Sequence, residues 1–181
     1  MTDRKSLGLI TIAMAIILSG CARPPMAQVV TAKASAGLTA DDIPVAHTPG
    51  CGWKKFPPPV LAACTEPLAP GAPDLRGAWQ AYQGMAGYVE RIEQCGNRVV
   101  ITAGGVIHDM RADGTLKHGV NDVAAATCVK IRVAAEFKDG KLALRPFRGP
   151  VLVTRELQGD EMIWHYVGKT VRLRRIDSPP Q

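Results

Sequence analysis

Apolar and polar residues alternate along much of the second half of this 181-residue chain. The clearest run extends from Val129 to Phe137, where every second residue is apolar and Lys130, Arg132 and Glu136 stand between the apolar ones. Successive side chains of a β-strand point to opposite faces, so a period of two predicts a strand with one buried face.

Turns that contain glycine, asparagine or aspartate separate runs of this kind. Hairpin turns need positive backbone φ angles, which these residues adopt at little cost. No proline occurs between Asp74 and Pro146, and the segment 121–128 is predicted to be a loop that links two strands. The predicted strands are 87–95, 98–103, 106–111, 128–137, 141–146, 151–157, 161–167 and 170–176.

The number of predicted strands and the lack of a long amphipathic helix favour closure of the sheet. A flat sheet would leave two exposed edges, and a barrel removes them. The sequence therefore predicts an all-β fold, a small antiparallel up-and-down β-barrel over residues 74–178. Because the strands are short, the barrel interior is expected to be small.

The first residues of the chain have a different character. Arg4 and Lys5 precede the uncharged stretch from Leu7 to Leu18, which is too short to span a bilayer but suits a secretory signal. The tetrapeptide LSGC that ends at Cys21 resembles the lipobox of bacterial lipoproteins. This resemblance implies removal of residues 1–20 and acylation of Cys21, which anchors the protein to a membrane of the cell envelope. Ala22 at the next position implies sorting to the outer membrane, facing the periplasm.

Residues 22–73 contain ten of the 14 prolines and no sustained apolar period. Such a composition is typical of an extended, solvated chain. We therefore expect residues 21–73 to be a lipid-anchored tether. Its part over 22–46 is expected to be flexible, and its part over 47–73 is expected to form a collar closed by cysteines.

Four cysteines follow the lipobox, namely Cys51, Cys64, Cys95 and Cys128. An even number in an exported chain indicates disulfides, and three pairings are possible. Local pairing, Cys51 with Cys64 and Cys95 with Cys128, is favoured because the two pairs fall in regions of different composition. A metal site of His47, Cys51 and Cys64 is the alternative, but it lacks a fourth ligand, so we expect no metal.

The predicted barrel begins with Gly77-Ala78-Trp79 and ends with Arg172, Arg174 and Arg175. This arrangement resembles the calycin group, which includes the lipocalins. The resemblance implies that Trp79 packs across the floor of the barrel and that Arg172 or Arg174, with Arg174 preferred, covers it. It also implies a ligand held inside the barrel.

Two clusters could carry chemistry. His108, Asp109 and Asp113 could perform acid–base work or hold a cation, but alternation sends His108 and Asp109 to opposite faces of a strand, and Asp113 fits a turn. Trp164 and Tyr166 share a face and either belong to the core or line a ligand pocket. No spacing typical of a catalytic nucleophile occurs, so we expect no enzymatic activity.

Polar partners for this aromatic face can also be named. Buried Trp and Tyr side chains need hydrogen-bond partners. Arg155 on the preceding strand, or Glu90 on an early strand, could provide them. The candidate ligand-binding residues are therefore Trp164, Tyr166, Arg155 and His108.

The charge of the chain limits the kinds of partner that we expect. The signal segment carries two basic residues and one acid, so its removal lowers the formal net charge from +6 to +5, and the remaining charges are scattered. Nucleic acid is therefore not an expected partner. We expect a non-catalytic lipoprotein, without a cofactor, that binds a small apolar molecule or lipid. The alternative is a protein-interaction or inhibitor module, since bacterial inhibitors of lysozyme and of metalloproteases are similar small barrels.

Overall fold

A computed structural model describes residues 56–124, 127 and 129–177. Within these residues the chain forms ten antiparallel strands in one sheet. No helix among them has the length and apolar character needed to cross a bilayer. The strands are β1 (Gly77–Gln83), β2 (Val89–Cys95), β3 (Arg98–Ala103), β4 (Val106–Arg111), β5 (Val120–Val123), β6 (Lys130–Lys138), β7 (Lys141–Pro146), β8 (Val153–Gln158), β9 (Glu161–Tyr166) and β10 (Lys169–Ile176).

The sheet curls into a nearly closed barrel, as predicted. β1 pairs with both β2 and β10, and the strand order runs from β4 through β1 and β10 to β5. The two terminal strands, β4 and β5, therefore meet at a seam. At this seam the Arg111 amide donates to the His118 carbonyl over 2.7 Å, and the Gly114 amide donates to the Ala135 carbonyl over 2.7 Å. Closure leaves little edge exposed for pairing with another chain.

Up-and-down connectivity gives the barrel two distinct ends. The connections after β1, β3, β5, β7 and β9 lie at one end, which we call the upper end. The connections after β2, β4, β6 and β8 lie at the lower end, together with the start of β1 and the end of β10. Residues that are far apart in the sequence are thereby collected at each end.

The inward faces of the strands form one apolar core. The predicted face of β6 is confirmed, since Ala135 is fully buried and Ile131, Val133 and Phe137 pack against the core. Val129, which precedes β6, is 60 % exposed. The buried core residues are Leu75, Trp79, Ala81, Ile92, Val99, Ile101, Met110, Val120, Ala135, Leu142, Leu144, Met162, Trp164, Val171 and Leu173.

One predicted loop begins as a strand. The segment 121–128 was expected to link strands without pairing, but β5 occupies its first residues and places Asn121 opposite Arg132 of β6. A strand of four residues, Val-Asn-Asp-Val, is too short to show a period of its own. Its structure depends on pairing with β6, which local sequence does not reveal.

Part of the tether covers the outer face of the barrel. Residues 57–73, which we call the strap, cross β2, β3 and β4. Val60 and Leu61 are buried there against Val100 and Ile107. The backbone amides of Val60 and Leu61 donate to the Glu93 carboxylate over 3.1 and 2.7 Å. The strap gives the sheet a second, smaller apolar layer outside the barrel.

A disulfide between Cys64 and Cys95 fixes the strap to β2. Their Cα atoms are 6.1 Å apart, a normal separation for a disulfide. The expected pairing of Cys51 with Cys64 and of Cys95 with Cys128 is therefore wrong. Cys95 faces outward on β2, so it meets the covering strap rather than a neighbouring strand. Cys51 and Cys128 lie outside the described residues, as do Cys21 and His47.

Candidate functional site

Trp79 closes the lower end of the barrel. Its side chain is 1 % exposed, and its indole Nε1 donates to the Leu75 carbonyl over 2.8 Å. The Arg175 guanidinium lies over the ring, 4.4 Å from its centroid. Gly77 leaves room for this arginine, because a Cβ atom at Gly77 would lie 2.7 Å from the Arg175 Nη1 atom.

The expectation that Arg174 or Arg172 covers Trp79 is therefore wrong. Arg175 stands directly opposite Trp79 in the pairing of β1 with β10, whereas the two other arginines face outward. Arg174 stacks instead on Tyr82, 4.2 Å from the ring centroid, on the outer surface of the barrel. Alternation explains the error, since the residue that shares a face with Val171 and Leu173 on β10 is Arg175.

Three aromatic side chains lie together near the upper end. The Trp164 ring centroid is 5.0 Å from that of Tyr88 and 5.1 Å from that of Tyr166. Trp164 is 5 % exposed, and Tyr166 is 43 % exposed at the end of β9. This aromatic cluster of Tyr88, Trp164 and Tyr166 therefore extends from the core to the surface.

A buried ion pair lies beneath the aromatic cluster. Arg155 donates to both carboxylate oxygens of Glu90, over 3.0 and 2.9 Å, and Glu90 is fully buried. The Tyr88 hydroxyl donates to Glu90 over 3.0 Å, and the Arg155 guanidinium is 4.7 Å from the Trp164 ring centroid. These contacts hold the three-ring cluster in a fixed position.

The environment changes the ionisation of both side chains that donate to Glu90. Burial raises the pKa of the Tyr88 hydroxyl well above its usual value, and the nearby Glu90 carboxylate adds to this effect. Burial opposes the charged form of Arg155, but the Glu90 carboxylate outweighs it and raises the pKa of Arg155. Both groups therefore keep their protons at neutral pH.

The indole nitrogen of Trp164 has no acceptor. Its Nε1 atom is buried and makes no hydrogen bond within the part of the chain that the structure describes. Glu90, one of the two partners suggested from the sequence, bonds Tyr88 and Arg155 instead. An unsatisfied buried donor costs about 1–3 kcal/mol, so an acceptor from a ligand would be favourable here.

His108 does not join the aromatic cluster. It faces inward on β4 at the seam, where its Nδ1 atom is 3.6 Å from the Asp122 carboxylate. Asp109 faces outward and accepts from Arg98 over 2.8 Å, so the prediction of opposite faces is confirmed. Asp113 accepts a hydrogen bond from a backbone amide two residues ahead, as turn residues do. Of the predicted ligand-binding residues, the fold brings together Trp164, Tyr166 and Arg155.

Exposed apolar side chains concentrate at the upper end. Eight large apolar residues are exposed among the described residues, and only Tyr82 lies elsewhere, on the outer face of β1. The other seven lie in the upper connections or at the strand end beside them. We call this set the apolar rim, and it consists of Met85, Val129, Phe147, Val151, Leu152, Tyr166 and Val167. Clusters of this kind mark binding surfaces more often than single exposed residues do.

Two similar hairpin turns show how unusual one rim residue is. Asp139-Gly140 at the lower end and Val167-Gly168 at the upper end both have two central residues with positive φ. Asp and Asn tolerate this conformation, but a β-branched residue does so at a cost. Val167 nevertheless has a φ of 47° and is 57 % exposed. Neither local stability nor burial explains a valine at this position.

The connection between β7 and β8 also holds an apolar side chain in the solvent. Phe147 has a φ of 53° and is 62 % exposed. Backbone hydrogen bonds fix the connection, since the Phe147 amide donates to the Arg132 carbonyl over 3.1 Å and the Leu152 amide donates to the Leu144 carbonyl over 3.1 Å. Non-glycine residues held in such conformations often occur at functional sites.

An open groove of about 370 Å³ lies on the outer surface between the strap, the start of β1, β2, and Asp177, which follows β10. Its walls include Arg76, Arg91 and Glu93. Arg76 pairs with Asp74 over 2.7 Å, and Arg91 with Glu93 over 3.2 Å. Because these charges already neutralise one another, the groove is a weaker candidate than the upper end.

The same outer surface holds three possible metal donors. The sulfur atoms of Cys64 and Cys95 and a carboxylate oxygen of Glu66 lie within 4.8 Å of one another. The disulfide occupies both sulfur atoms, so the oxidised protein offers one donor of the three at this place.

Comparison with protein-family models and with curated protein sequences gives no match for this chain. The geometry of the upper end is therefore the feature that indicates a function.

Proposed function

We propose that this chain is a lipid-anchored protein of the cell envelope whose barrel is a non-catalytic binding module. Its ligand is an apolar molecule or lipid, bound at the upper end. The observation that carries the proposal is the apolar rim, in which seven exposed side chains lie at one end of the barrel, next to the aromatic cluster.

The arrangement of the core supports binding at the mouth of the barrel rather than deep inside it. Fully buried side chains such as Met162 and Leu173 fill the barrel on the lower side of Arg155, which pairs with Glu90. A ligand at the mouth would contact Tyr166 and the rim, and a ligand oxygen that reached Trp164 would satisfy its Nε1 donor. Such a site combines apolar walls with a few polar groups, as ligand sites do.

A protein-interaction or inhibitor module is the second candidate. The firmly held connection that presents Phe147 favours it, because rigid apolar side chains on loops are typical anchors of protein interfaces. The two candidates predict different binding by the purified protein when no partner protein is present. A small ligand needs no partner protein, whereas an interaction module binds no small apolar molecule.

The test uses residues 22–181, exported with an ordinary cleavable signal so that the disulfide can form. A neutral apolar fluorophore, N-phenyl-1-naphthylamine, is titrated with this protein, and fatty acids compete for the site. We expect saturable binding that Tyr166→Ser weakens several-fold. Tyr82→Ser is the matched control, because Tyr82 is exposed to a similar extent but lies outside the rim. Equal loss in both variants, or no binding by the unaltered protein, contradicts the proposal.

The anchor is tested separately. Acylation at Cys21 predicts that Cys21→Ala abolishes incorporation of labelled palmitate and the appearance of mature lipoprotein in membranes. Unchanged labelling of this variant contradicts the lipobox assignment.

A further inference from the structure

The exposed charges at the upper end of the barrel are all basic, whereas the lower end carries both signs, with Lys117, Lys138 and Lys141 among its basic residues. In the upper connections and the strand ends beside them, the charged residues are Lys130, Arg148 and Lys169, all exposed, and no aspartate or glutamate occurs. Three of the four lower connections contain an aspartate. These are Asp113, Asp139 and Asp160.

The tether reaches the outer face of the barrel near the middle of β2. The Pro57 carbonyl accepts from Arg91 over 2.8 Å, and the Phe56 ring lies 5.9 Å from the Arg91 guanidinium. Arg91 pairs with Thr102 of β3 on one side and with Ala78 of β1 on the other, so the tether arrives between the two ends. Between Cys21 and Phe56 the chain has 34 residues, which reach about 100 Å when extended. The expected anchor therefore permits the upper end to face the membrane.

We propose that the upper end of the barrel docks on the surface of an anionic phospholipid bilayer. This inference deepens the proposed function and rests on it, since it names the lipid of an assembled bilayer as the apolar partner. Apolar side chains enter the boundary between headgroups and acyl chains, while basic residues beside them attract anionic headgroups.

Three features favour a bilayer over a protein surface as the occupant. The rim comes from four separate connections, so its apolar side chains spread over one end rather than lining a cleft. The exposed charges in the upper connections and at the strand ends beside them all have one sign, which suits a uniformly anionic surface. Tyr166, an exposed member of the rim, has the amphipathic ring that is enriched at membrane interfaces.

The experiment measures sedimentation of residues 22–181 with vesicles of phosphatidylcholine alone or mixed with phosphatidylglycerol. Without the lipidated cysteine, any binding must come from the rest of the chain. We expect binding to the mixed vesicles that weakens as salt is added, with little binding to phosphatidylcholine alone.

Two variants test the apolar and the basic parts. Val167→Asn should weaken binding about tenfold, since it removes the apolar side chain that the bilayer would bury on docking. It should not lower the thermal unfolding midpoint, because Asn-Gly suits this turn better than Val-Gly. Lys169→Gln should weaken binding about fivefold. Tyr82→Ser, which changes an aromatic residue on the outer face of β1, and Lys138→Gln, which changes a basic residue at the lower end, should leave binding unchanged.

The outcomes separate this inference from the proposed function. If the apolar fluorophore binds but the mixed vesicles do not, docking is overturned and ligand binding stands. If neither binds, both proposals fail. Equal binding to the two kinds of vesicle, or equal losses in the rim variants and their controls, also overturns docking at the upper end.

Discussion

Removal of the Arg155 charge should destabilise the barrel strongly. Arg155 is 4 % exposed and Glu90 is fully buried, and two hydrogen bonds join them. In Arg155→Met the Glu90 carboxylate stays buried and keeps only the Tyr88 hydroxyl as a partner. Breaking a buried pair in this way costs about 3–5 kcal/mol. The loss of the contact between Arg155 and the Trp164 ring adds up to about 2 kcal/mol.

Matched variants separate the charge from the packing. The double variant Glu90→Leu with Arg155→Met removes both charges but leaves the Tyr88 hydroxyl without an acceptor, which costs about 1–3 kcal/mol. Adding Tyr88→Phe removes this last polar group. The triple variant should therefore be within about 1 kcal/mol of the unaltered protein, or more stable, as found when buried pairs are replaced by apolar residues.

Urea unfolding at neutral pH, followed by circular dichroism, measures these differences. A loss below about 1 kcal/mol in Arg155→Met would mean that water reaches the pair. A triple variant as unstable as Arg155→Met would show that packing, and not an isolated charge, sets the cost. Either result refutes the description of the region beneath the aromatic cluster.

Three further predictions concern the closed end, pH and oxidation. Arg175→Ala should lower the free energy of unfolding by about 1 kcal/mol, and a double-mutant cycle should show that this effect is lost when Trp79 is replaced by Leu, which has no aromatic ring. Arg174→Ala should not couple to Trp79, because Arg174 stacks on Tyr82. Because burial raises the pKa of Tyr88 above its unfolded value, the contribution of Tyr88 to stability should be constant below about pH 10 and fall above it. Tyr88→Phe should flatten this alkaline fall in urea midpoints, and an equal slope in the variant contradicts the assignment. Since Cys64 and Cys95 are already joined, Cys51 and Cys128 are the cysteines left to pair in the proposed exported protein. Non-reducing peptide mapping should recover these two as one linked species rather than as free thiols.

The architecture was predictable because its signals are local. Alternation on β6 and β9 reports directly which side chains are buried, and Gly-containing dipeptides mark the turns. β5 escaped detection because its four residues depend on pairing with β6. Short strands of this kind are specified by their neighbours, so no window of local sequence contains the signal.

Two errors had different physical causes. The alternation of side chains along β10 places Arg175 on the same face as Val171 and Leu173. The arginine that covers Trp79 could therefore have been identified from the sequence. The disulfide could not have been identified from the sequence. Pairing of Cys64 with Cys95 depends on the strap crossing the outer face of β2, and the proline-rich strap has no periodic pattern that predicts this contact.

The apolar rim was visible in part before folding. In an up-and-down barrel, every second connection lies at the same end, and in this chain those connections contain Met85, Phe147 and Val167 but no acid. Grouping the connections after odd-numbered strands apart from those after even-numbered strands would have shown that acidic residues occur only in the second group. The buried Glu90–Arg155 pair was less accessible, since these residues are 65 positions apart and meet only because the sheet closes.

The most direct test of the central claim locates the bound lipid on the barrel. Backbone amide chemical shifts of residues 22–181 are recorded by nuclear magnetic resonance as bicelles containing phosphatidylglycerol are added. Binding at the upper end predicts that the largest changes fall in the upper connections, including the amides of Phe147 and Val167, while those of Asp139 and Gly159 at the lower end stay unchanged. Changes centred on the lower connections or on the strap, or no changes at any lipid concentration, would contradict the account.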